Sequence, residues 1–476
     1  MNINPHFKMP GRKTIMFFLT VIILILVGCH KDNVPDNNLI QNETVLRTPQ
    51  DNASELVPGE VKFKWKHPGG NNISFDLLLS DDNGNNWKLF PAGYDTLYTP
   101  AKGEIKGSTS YLWQLITRKG KMYKKSQEYR FSTLKQYVTN EYERYFFNGE
   151  NKVNLVILGD GFTNEDLLDK GNYQQMAQKL IDHIFSIEPY KTYKSYFNAY
   201  ICYSESNDRG ILRGKGPAIG EQTHSSDSVS TYFESSYDSY GLNTLKDKCY
   251  QVAEQIPGLD ADKAMICLVL NDKKYGGMTW MNTSGRAIPI CPMSDLAEPF
   301  AFYNIVMHET GHAFAKLADE YGGNATSADD KIKNDLMIMQ NLGWYLNVSG
   351  TSDSAKIPWQ YFLRMDKYSK SSYSNTGIFE GGYSYWYGIY RPEEENCMRG
   401  AMIPYYDVAS REMIVKRIMK IVGEEYTLEN FLANDKIIPA SEIGSISSKS
   451  YSVQKNLYPH NPPVVIDNTG ILTNKI

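Results

Sequence analysis

One short run of residues carries most of the chemistry expected of this sequence: His308-Glu309-Thr310-Gly311-His312. On a helix, residues four positions apart lie on one face, so the two imidazoles can reach a single metal ion. Imidazole nitrogen is a common ligand of zinc. Glu309 lies beside that pair, where it can take a proton from a metal-activated water and pass it to a leaving amine. The run predicts a hydrolytic zinc site with His308 and His312 as ligands and Glu309 as general base.

Histidine is scarce in this chain, which makes the spacing more specific. Only 8 of 476 residues are histidines, so this pattern should arise by chance in roughly one such chain in a hundred. The pair also falls in an apolar stretch, where charged side chains need partners. Two other interpretations remain. The histidines could be ordinary core residues hydrogen-bonded to protein groups, or they could bind a purely structural zinc ion, in which case Glu309 would have no catalytic role.

A catalytic zinc ion takes a third protein ligand and keeps one position open. Asp319 and Glu320 are the first carboxylates after His312. A straight helix would carry residue 319 roughly 10 Å along its axis from residue 312, out of ligand range. The chain must therefore turn between Ala315 and Ala318 for either carboxylate to bind. We expect Asp319 to be the third ligand, with Glu320 as the alternative.

The stretch HETGHAFAKLADEY resembles the motif of the bacterial zinc metallopeptidase family named for immunoglobulin A peptidase. Four further segments resemble that family in the same order: NLVILGDGFT, SESNDRG, VLNDKKYGG and ENCMRG. Together they span about residues 154–423. The resemblance implies a metzincin-like catalytic domain, one zinc ion and endopeptidase activity. It carries His308 and His312 over as ligands, Glu309 as general base and Asp319 as third ligand.

The chain departs from the metzincin pattern just after the second histidine. That pattern places glycine three residues after it and a ligand six residues after it, where this chain has Ala315 and Ala318. The geometry of the turn toward Asp319 is therefore open.

Metzincins also place a methionine turn beneath the metal as an apolar floor. The segment NCMRGAM supplies Met398 for this turn, with Met402 as a lesser candidate and an ordinary core methionine as the alternative. Tyr405 and Tyr406 follow, and a tyrosine near such a turn can donate a hydrogen bond to a developing oxyanion.

Upstream of the motif, KYGGMTWMNTSGRAIPIC has strand-like ends around glycine turns. In metzincin-like enzymes such a strand pairs with extended substrate. Gly276 and Gly277 would let a substrate backbone approach closely, although a simple hairpin explains them equally well. Asp160 in GDG is read as part of a helix-entry turn rather than a metal ligand. Arg391–Asn396 is read as a solvated loop rather than a calcium site.

The surrounding elements predict an α/β layer structure. VNLVILGDGFT is a continuous apolar run, as in a strand buried on both faces. Thr163 and Asp166 then form a variant of the N-cap pattern, which predicts a helix from that point. YFNAYICYSES and KAMICLVLND read as further buried strands, and Glu298–Tyr321 as an apolar helix.

The region before this body has a different periodicity. Short segments such as EVKFKWKHP and EYRFSTL alternate between apolar and polar residues, with turn sequences between them. This pattern predicts a β-sandwich that resembles a fibronectin type III module. The simplest interpretation is that this module is a spacer or a docking module. The more specific alternative is that its aromatic residues bind glycans.

The first residues read as an export signal. Basic residues precede an apolar run over residues 15–27, which is too short to span a bilayer. The run ends in Leu26-Val27-Gly28-Cys29, which resembles a bacterial lipobox and implies lipidation of Cys29; a plain cleaved signal is the alternative. Five cysteines remain. Because this number is odd, at least one has no disulfide partner within the chain, and the sequence permits one or two disulfides among the others.

The fold class is thus multidomain: an N-terminal β-sandwich followed by an α/β metzincin-like zinc metallopeptidase domain. We predict a signal peptide over residues 1–28, a tether over 29–48, the sandwich over 49–136, the catalytic domain over 137–435 and a tail over 436–476.

Function follows from the zinc motif and the export signal together. The chain is expected to be a lipid-anchored endopeptidase of the bacterial cell envelope, acting on extracellular proteins or glycoproteins. A net charge of −4 without a basic cluster beyond the leader argues against nucleic-acid binding. The alternative is a non-catalytic surface lipoprotein that binds proteins or glycans.

Overall fold

The computed structural model describes residues 40, 42–213, 228–238, 241–296, 301–369, 376–400, 403–437 and 464–466. The predicted signal peptide, Cys29, Met402 and most of the predicted tail lie outside these residues. Within the described part of the chain, no helix is both long and apolar enough to cross a membrane.

The first part of the chain forms two sheets that share one core. Its strands are β1 (Val45–Thr48), β2 (Ala53–Leu56), β3 (Phe63–Lys66), β4 (Ser74–Ser80), β5 (Lys88–Gly93), β6 (Leu97–Tyr98), β7 (Ser110–Lys119), β8 (Met122–Lys125) and β9 (Tyr129–Thr133). One sheet has the order β1-β3-β6 and the other β2-β9-β7-β4-β5, with β8 paired to β7. Phe63 and Trp65 point into the core, whereas Lys64 and Lys66 are exposed, as period-2 alternation requires. The likeness to fibronectin type III stays a prediction.

The second part combines strands with helices. Its strands are β10 (Tyr142–Phe146), β11 (Val153–Asp160), β12 (Phe197–Cys202), β13 (Leu212–Arg213), β14 (Ser236–Asp238), β15 (Gly241–Asn243), β16 (Met265–Leu270), β17 (Met278–Asn282), β18 (Ala287–Pro292), β19 (Gly322–Ser327), β20 (Phe379–Gly382), β21 (Ser384–Arg391) and β22 (Val464–Ile466). Its helices are α1 (Asn172–Ile184), α2 (Lys246–Ala253), α3 (Phe302–Ala315), α4 (Asp330–Asn341), α5 (Asp366–Ser369), α6 (Val408–Val422) and α7 (Leu428–Asn434). Short 3-10 turns cover Pro58–Glu60, Lys194–Tyr196 and Phe362–Arg364.

A seven-stranded sheet organises this body, in the order β10-β12-β11-β16-β18-β17-β22. The four strands from β12 to β18 in that order are parallel, while β10 runs antiparallel to β12 and β17 runs antiparallel to β18. Leu155 and Ile157 of β11 share a core with α1, α3 and α6, and Val156 and Leu158 share another with α2. Both faces of β11 are therefore covered, which explains its continuous apolar run. The mixed, multi-sheet architecture agrees with the predicted fold class at that level.

The start of α1 differs from the sequence prediction. Thr163 does donate to Asp166 through both its main-chain N and its hydroxyl. The other oxygen of Asp166 lies 2.9 Å from Arg209, and Lys170 adopts a left-handed conformation at φ 59°. Because the chain turns back at Lys170, the helix begins only at Asn172, after Gly171.

The cysteines and Asp160 also have definite places. The five cysteines after Cys29 are all buried and none forms a disulfide, although the sequence left one or two pairings open.

Asp160 ends β11 and is fully buried, where it accepts hydrogen bonds from Thr231, Phe233 and Ser235. It anchors the loop that precedes β14 and does not start a helix.

Candidate metal centre and active site

Helix α3 places His308, Glu309 and His312 in the interior, each with no exposed surface. The helix ends at Ala315 because Lys316 adopts a left-handed conformation, with φ 58° and ψ 42°. The main-chain N of Lys316 donates to the oxygen of His312, as in an αL-type ending, and the main-chain N of Leu317 donates to the oxygen of Gly311. Lysine, not glycine, thus supplies the turn that the sequence required between Ala315 and Ala318.

The turn brings Asp319 back to the two histidines. Its Oδ1 lies 3.2 Å from Nε2 of His308 and 3.2 Å from Nε2 of His312, and the two nitrogens are 3.1 Å apart. Ligands of a tetrahedral zinc ion, at about 2.0–2.1 Å from the metal, stand about 3.3 Å from one another. Among the described residues these three form the one cluster of histidine, cysteine or acidic side chains with metal-ligand spacing.

The other nitrogen of each imidazole has a partner of its own. Nδ1 of His308 lies 2.8 Å from the oxygen of Cys397, and Nδ1 of His312 lies 2.7 Å from the oxygen of Leu317. A carbonyl only accepts, so each Nδ1 carries a proton and Nε2 is the nitrogen left to bind a metal ion. The two Nε2 atoms and Oδ1 of Asp319 therefore face one another in a buried site.

The charges at this cluster favour a cation. Burial opposes a charged imidazolium, yet the Asp319 carboxylate raises the pKa of His312 to about 9. Burial acts in the opposite sense on Asp319, but the two histidines hold its pKa below its usual range. A positive charge is thus favoured among these atoms, and the donor set of two imidazoles and one carboxylate fits zinc.

Glu320 points elsewhere. Its two carboxylate oxygens accept from Asn347 at 2.8 Å and from Asn396 at 2.6 Å, and its main-chain N donates to the oxygen of Met398. Burial and the neighbouring Asp407 raise its pKa well above the usual value. Glu320 therefore links the chain after α3 to the segment around Met398. The structure does not bring its carboxylate to His308, His312 and Asp319.

Met398 packs against α3 at Gly311, and its role in a methionine turn stays a prediction. It is fully buried, and a Cβ built at Gly311 would come within 2.7 Å of its Sδ. The side chain of Asn396 accepts from the main-chain N of Met398, and Cys397 contributes the carbonyl that holds His308. Gly311 thus permits the close approach of helix and turn.

The segment Arg391–Asn396 is not the solvated loop that its charge suggested. Glu393 and Asn396 have no exposed surface, and Arg391 is only 6% exposed. Glu393 accepts from the hydroxyl of Tyr405 and from the main-chain N of Val408. Arg391 donates to the main-chain oxygens of Glu380 and Gly381, so both buried charges have partners inside the body, which a count of charges along the sequence does not reveal.

The tyrosines singled out from the sequence do not face the cluster. Tyr405 donates to Glu393 and Tyr406 to the main-chain oxygen of Met307, both fully buried. Tyr321 is the tyrosine beside the site: its ring stacks 6.4 Å from that of His308 and its hydroxyl bonds Asp319. Burial, Asp319 and Glu309 raise its pKa well above the usual value. The sequence offered one indication of this role, because Tyr321 directly follows Asp319 and Glu320. Tyrosine is so abundant in this chain that the position alone did not single it out.

Glu309 is held by strand β17. The hydroxyl of Thr279 lies 2.7 Å from Oε2, whereas Oε1 is buried without a hydrogen-bond partner. A Cβ at Gly277 would come within 2.9 Å of Cγ of Glu309, so glycine is needed there for packing. Gly276 faces open space instead. Burial raises the pKa of Glu309, although both histidines and Thr279 act against it.

Comparison with known proteins supports a peptidase. No curated protein matches the chain. Residues 147–366 match the family model described as IgA Peptidase M64. The matched region begins just after β10 and ends at the first residue of α5, so that it contains the whole cluster on α3 and the turn after it. This match supports a peptidase of that family over residues 147–366.

Proposed function

We propose that the chain is a zinc-dependent endopeptidase of the cell envelope that hydrolyses peptide bonds of extracellular proteins or glycoproteins. The observation that carries the proposal is the convergence of Nε2 of His308, Nε2 of His312 and Oδ1 of Asp319 beside the carboxylate of Glu309. The peptidase family match over residues 147–366 supports the same reaction class.

His308, His312 and Asp319 would hold the zinc ion, and Met398 would floor the site. A zinc ion held there supplies Lewis acidity toward a water molecule and a substrate carbonyl. The carbonyls of Cys397 and Leu317 keep the two imidazoles in the orientation that ligation needs.

Glu309 moves the proton in this proposal. Its Oε2 is anchored by Thr279, so Oε1 is the oxygen that takes a proton from the attacking water. The same oxygen returns that proton to the nitrogen of the leaving amine when the peptide bond breaks. Burial raises the pKa of Glu309, and a raised pKa makes its carboxylate a stronger base toward the water.

The location rests on the sequence alone. Leu26-Val27-Gly28-Cys29 supports export and a lipid anchor at Cys29, which would place the enzyme at the outer membrane or cell surface. The two-sheet unit before the catalytic body would then serve as a spacer or docking module between anchor and active site.

The test combines metal content with proteolysis. The purified chain and its Glu309→Gln variant are analysed for zinc and incubated with a mixed peptide library, with and without chelator. We expect about one zinc per chain in both proteins and cleavage only by the parent without chelator. Zinc without any cleavage by the parent would favour a binding lipoprotein, and absence of zinc would refute the ligand assignment.

A further inference from the structure

Strand β17 is the strand through which the sheet reaches the active site. On one side it pairs antiparallel with β18, from Met278 with Ile290 to Met281 with Ala287. Its Thr279 holds the carboxylate of Glu309. The opposite side of β17 is a sheet edge, which offers unpaired main-chain N–H and C=O groups to any extended chain that lies beside it.

Part of this edge is taken by the chain itself. Strand β22 pairs parallel with β17, with Val464 beside Trp280, Val465 beside Met281 and Ile466 beside Asn282. The strand β22 therefore begins next to the residue that follows Thr279. Met278 and Thr279 have no partner from β22 among the described pairs.

Chain connectivity does not force this pairing. Twenty-six residues, 438–463, separate β22 from the end of the preceding described segment at Ile437. A stretch of 26 residues can span at most roughly 85–95 Å, so chain connectivity alone does not require β22 to lie on β17. The pairing on the edge beside Glu309 is thus a contact of β22 itself, and its covalent attachment raises its effective concentration there.

The same pairing is weak enough to be exchanged. Three residues form only a short ladder, well below the usual five or six residues of a strand. Main-chain pairing also carries little side-chain specificity, so another extended polypeptide can replace β22 on equal chemical grounds.

We propose that the segment Val464–Ile466 is a built-in occupant of the β17 edge that competes with extended polypeptide substrate for it. The proposal rests on the proposed peptidase function and names its substrate class: segments of protein that can lie extended and add a strand to β17. Folded regions without such a segment are then excluded at the binding step.

The test uses the full chain and two matched double variants. Successive N–H groups of a strand point to opposite sides, so the Val464→Pro/Val465→Pro variant removes whichever donor faces β17. The Val464→Ile/Val465→Ile variant keeps both donors and the branched side chains. A third form ends at residue 437. Each is assayed for hydrolysis of a quenched fluorogenic extended peptide, with kcat and KM determined separately.

We expect the proline variant and the shortened form to show a KM at least threefold below that of the parent, with kcat unchanged and the isoleucine variant like the parent. A synthetic peptide of residues 458–472 should inhibit the shortened form competitively. Equal KM values in all four proteins, or lower activity in the proline and shortened forms, would overturn the inference and leave the peptidase function intact. If none of the four cleaves any peptide while zinc is bound, the proposed function itself fails.

Discussion

The hydroxyl of Thr279 lies 2.7 Å from Oε2 of Glu309 and 2.8 Å from the main-chain oxygen of the same residue. A hydroxyl has one proton to donate and lone pairs with which to accept. When Glu309 is ionised, Thr279 donates to Oε2 of its carboxylate; when Glu309 carries its proton on Oε1, Oε2 still accepts from Thr279. One side chain thus serves both protonation states without moving.

Replacement of Thr279 by valine should lower kcat about 10- to 100-fold, because Glu309 loses its anchor while the volume is kept. Zinc content should stay at the parental value, since no ligand is touched. The Thr279→Ser variant retains the hydroxyl and should recover most of the activity. Loss of zinc from the valine variant would contradict a role confined to positioning Glu309.

Asp319 and Glu320 should behave differently although they are adjacent. Asp319→Ala should abolish zinc binding in metal analysis of the purified protein, because it removes one of three converging ligand atoms. Glu320→Gln should keep zinc but reduce the free energy of unfolding by about 1–3 kcal/mol, because an amide cannot accept from both Asn347 and Asn396. The reverse result would exchange their roles.

Gly311→Ala should destabilise the protein although alanine is the better helix former. The new Cβ would lie 2.7 Å from Sδ of Met398 and 3.2 Å from the ring of Tyr406, and such overpacking typically costs about 1–3 kcal/mol. Thermal unfolding measures the effect. The Met398→Ala background frees the space, so the same glycine change should cost less there; equal costs in both backgrounds would contradict the contact.

Buried Glu393 should give the protein a specific pH dependence. Burial and Asp407 raise its pKa to about 8, against the opposing effect of Arg411. The folded state therefore holds a proton that the unfolded state releases near pH 4.5, so this residue's contribution to stability falls as pH rises from about 4.5 to 8 and is constant above that. The Glu393→Gln variant should show a flatter dependence of melting temperature on pH between 5 and 9. An unchanged slope would refute this assignment.

The part of the site that lies within one helix turn was accessible from the sequence. His308, Glu309 and His312 are joined by a spacing that is local and periodic, and the need for a turn before Asp319 followed from helix geometry. Which residue makes that turn was not accessible, because Lys316 is an unusual choice for a left-handed position.

Contacts between distant segments were beyond the sequence. Thr279 is 30 positions from Glu309, and nothing in its neighbourhood marks it as a partner. Glu393 looked solvent-exposed because its satisfying donors, Tyr405 and Val408, lie in the next turn and helix. The local sequence pattern indicates whether a residue type usually prefers solvent or the core. Whether a charged residue can be buried depends on hydrogen-bond partners that only the folded chain brings to it.

The five buried cysteines have a consequence for where this protein can work. Burial raises the pKa of Cys202 and Cys267 to about 12, so both stay as unreactive thiols at neutral pH. No cross-link among these five contributes to the fold. The folded body should therefore keep its stability in strongly reducing and in oxidising surroundings alike, and an enzyme so built needs no disulfide machinery to mature.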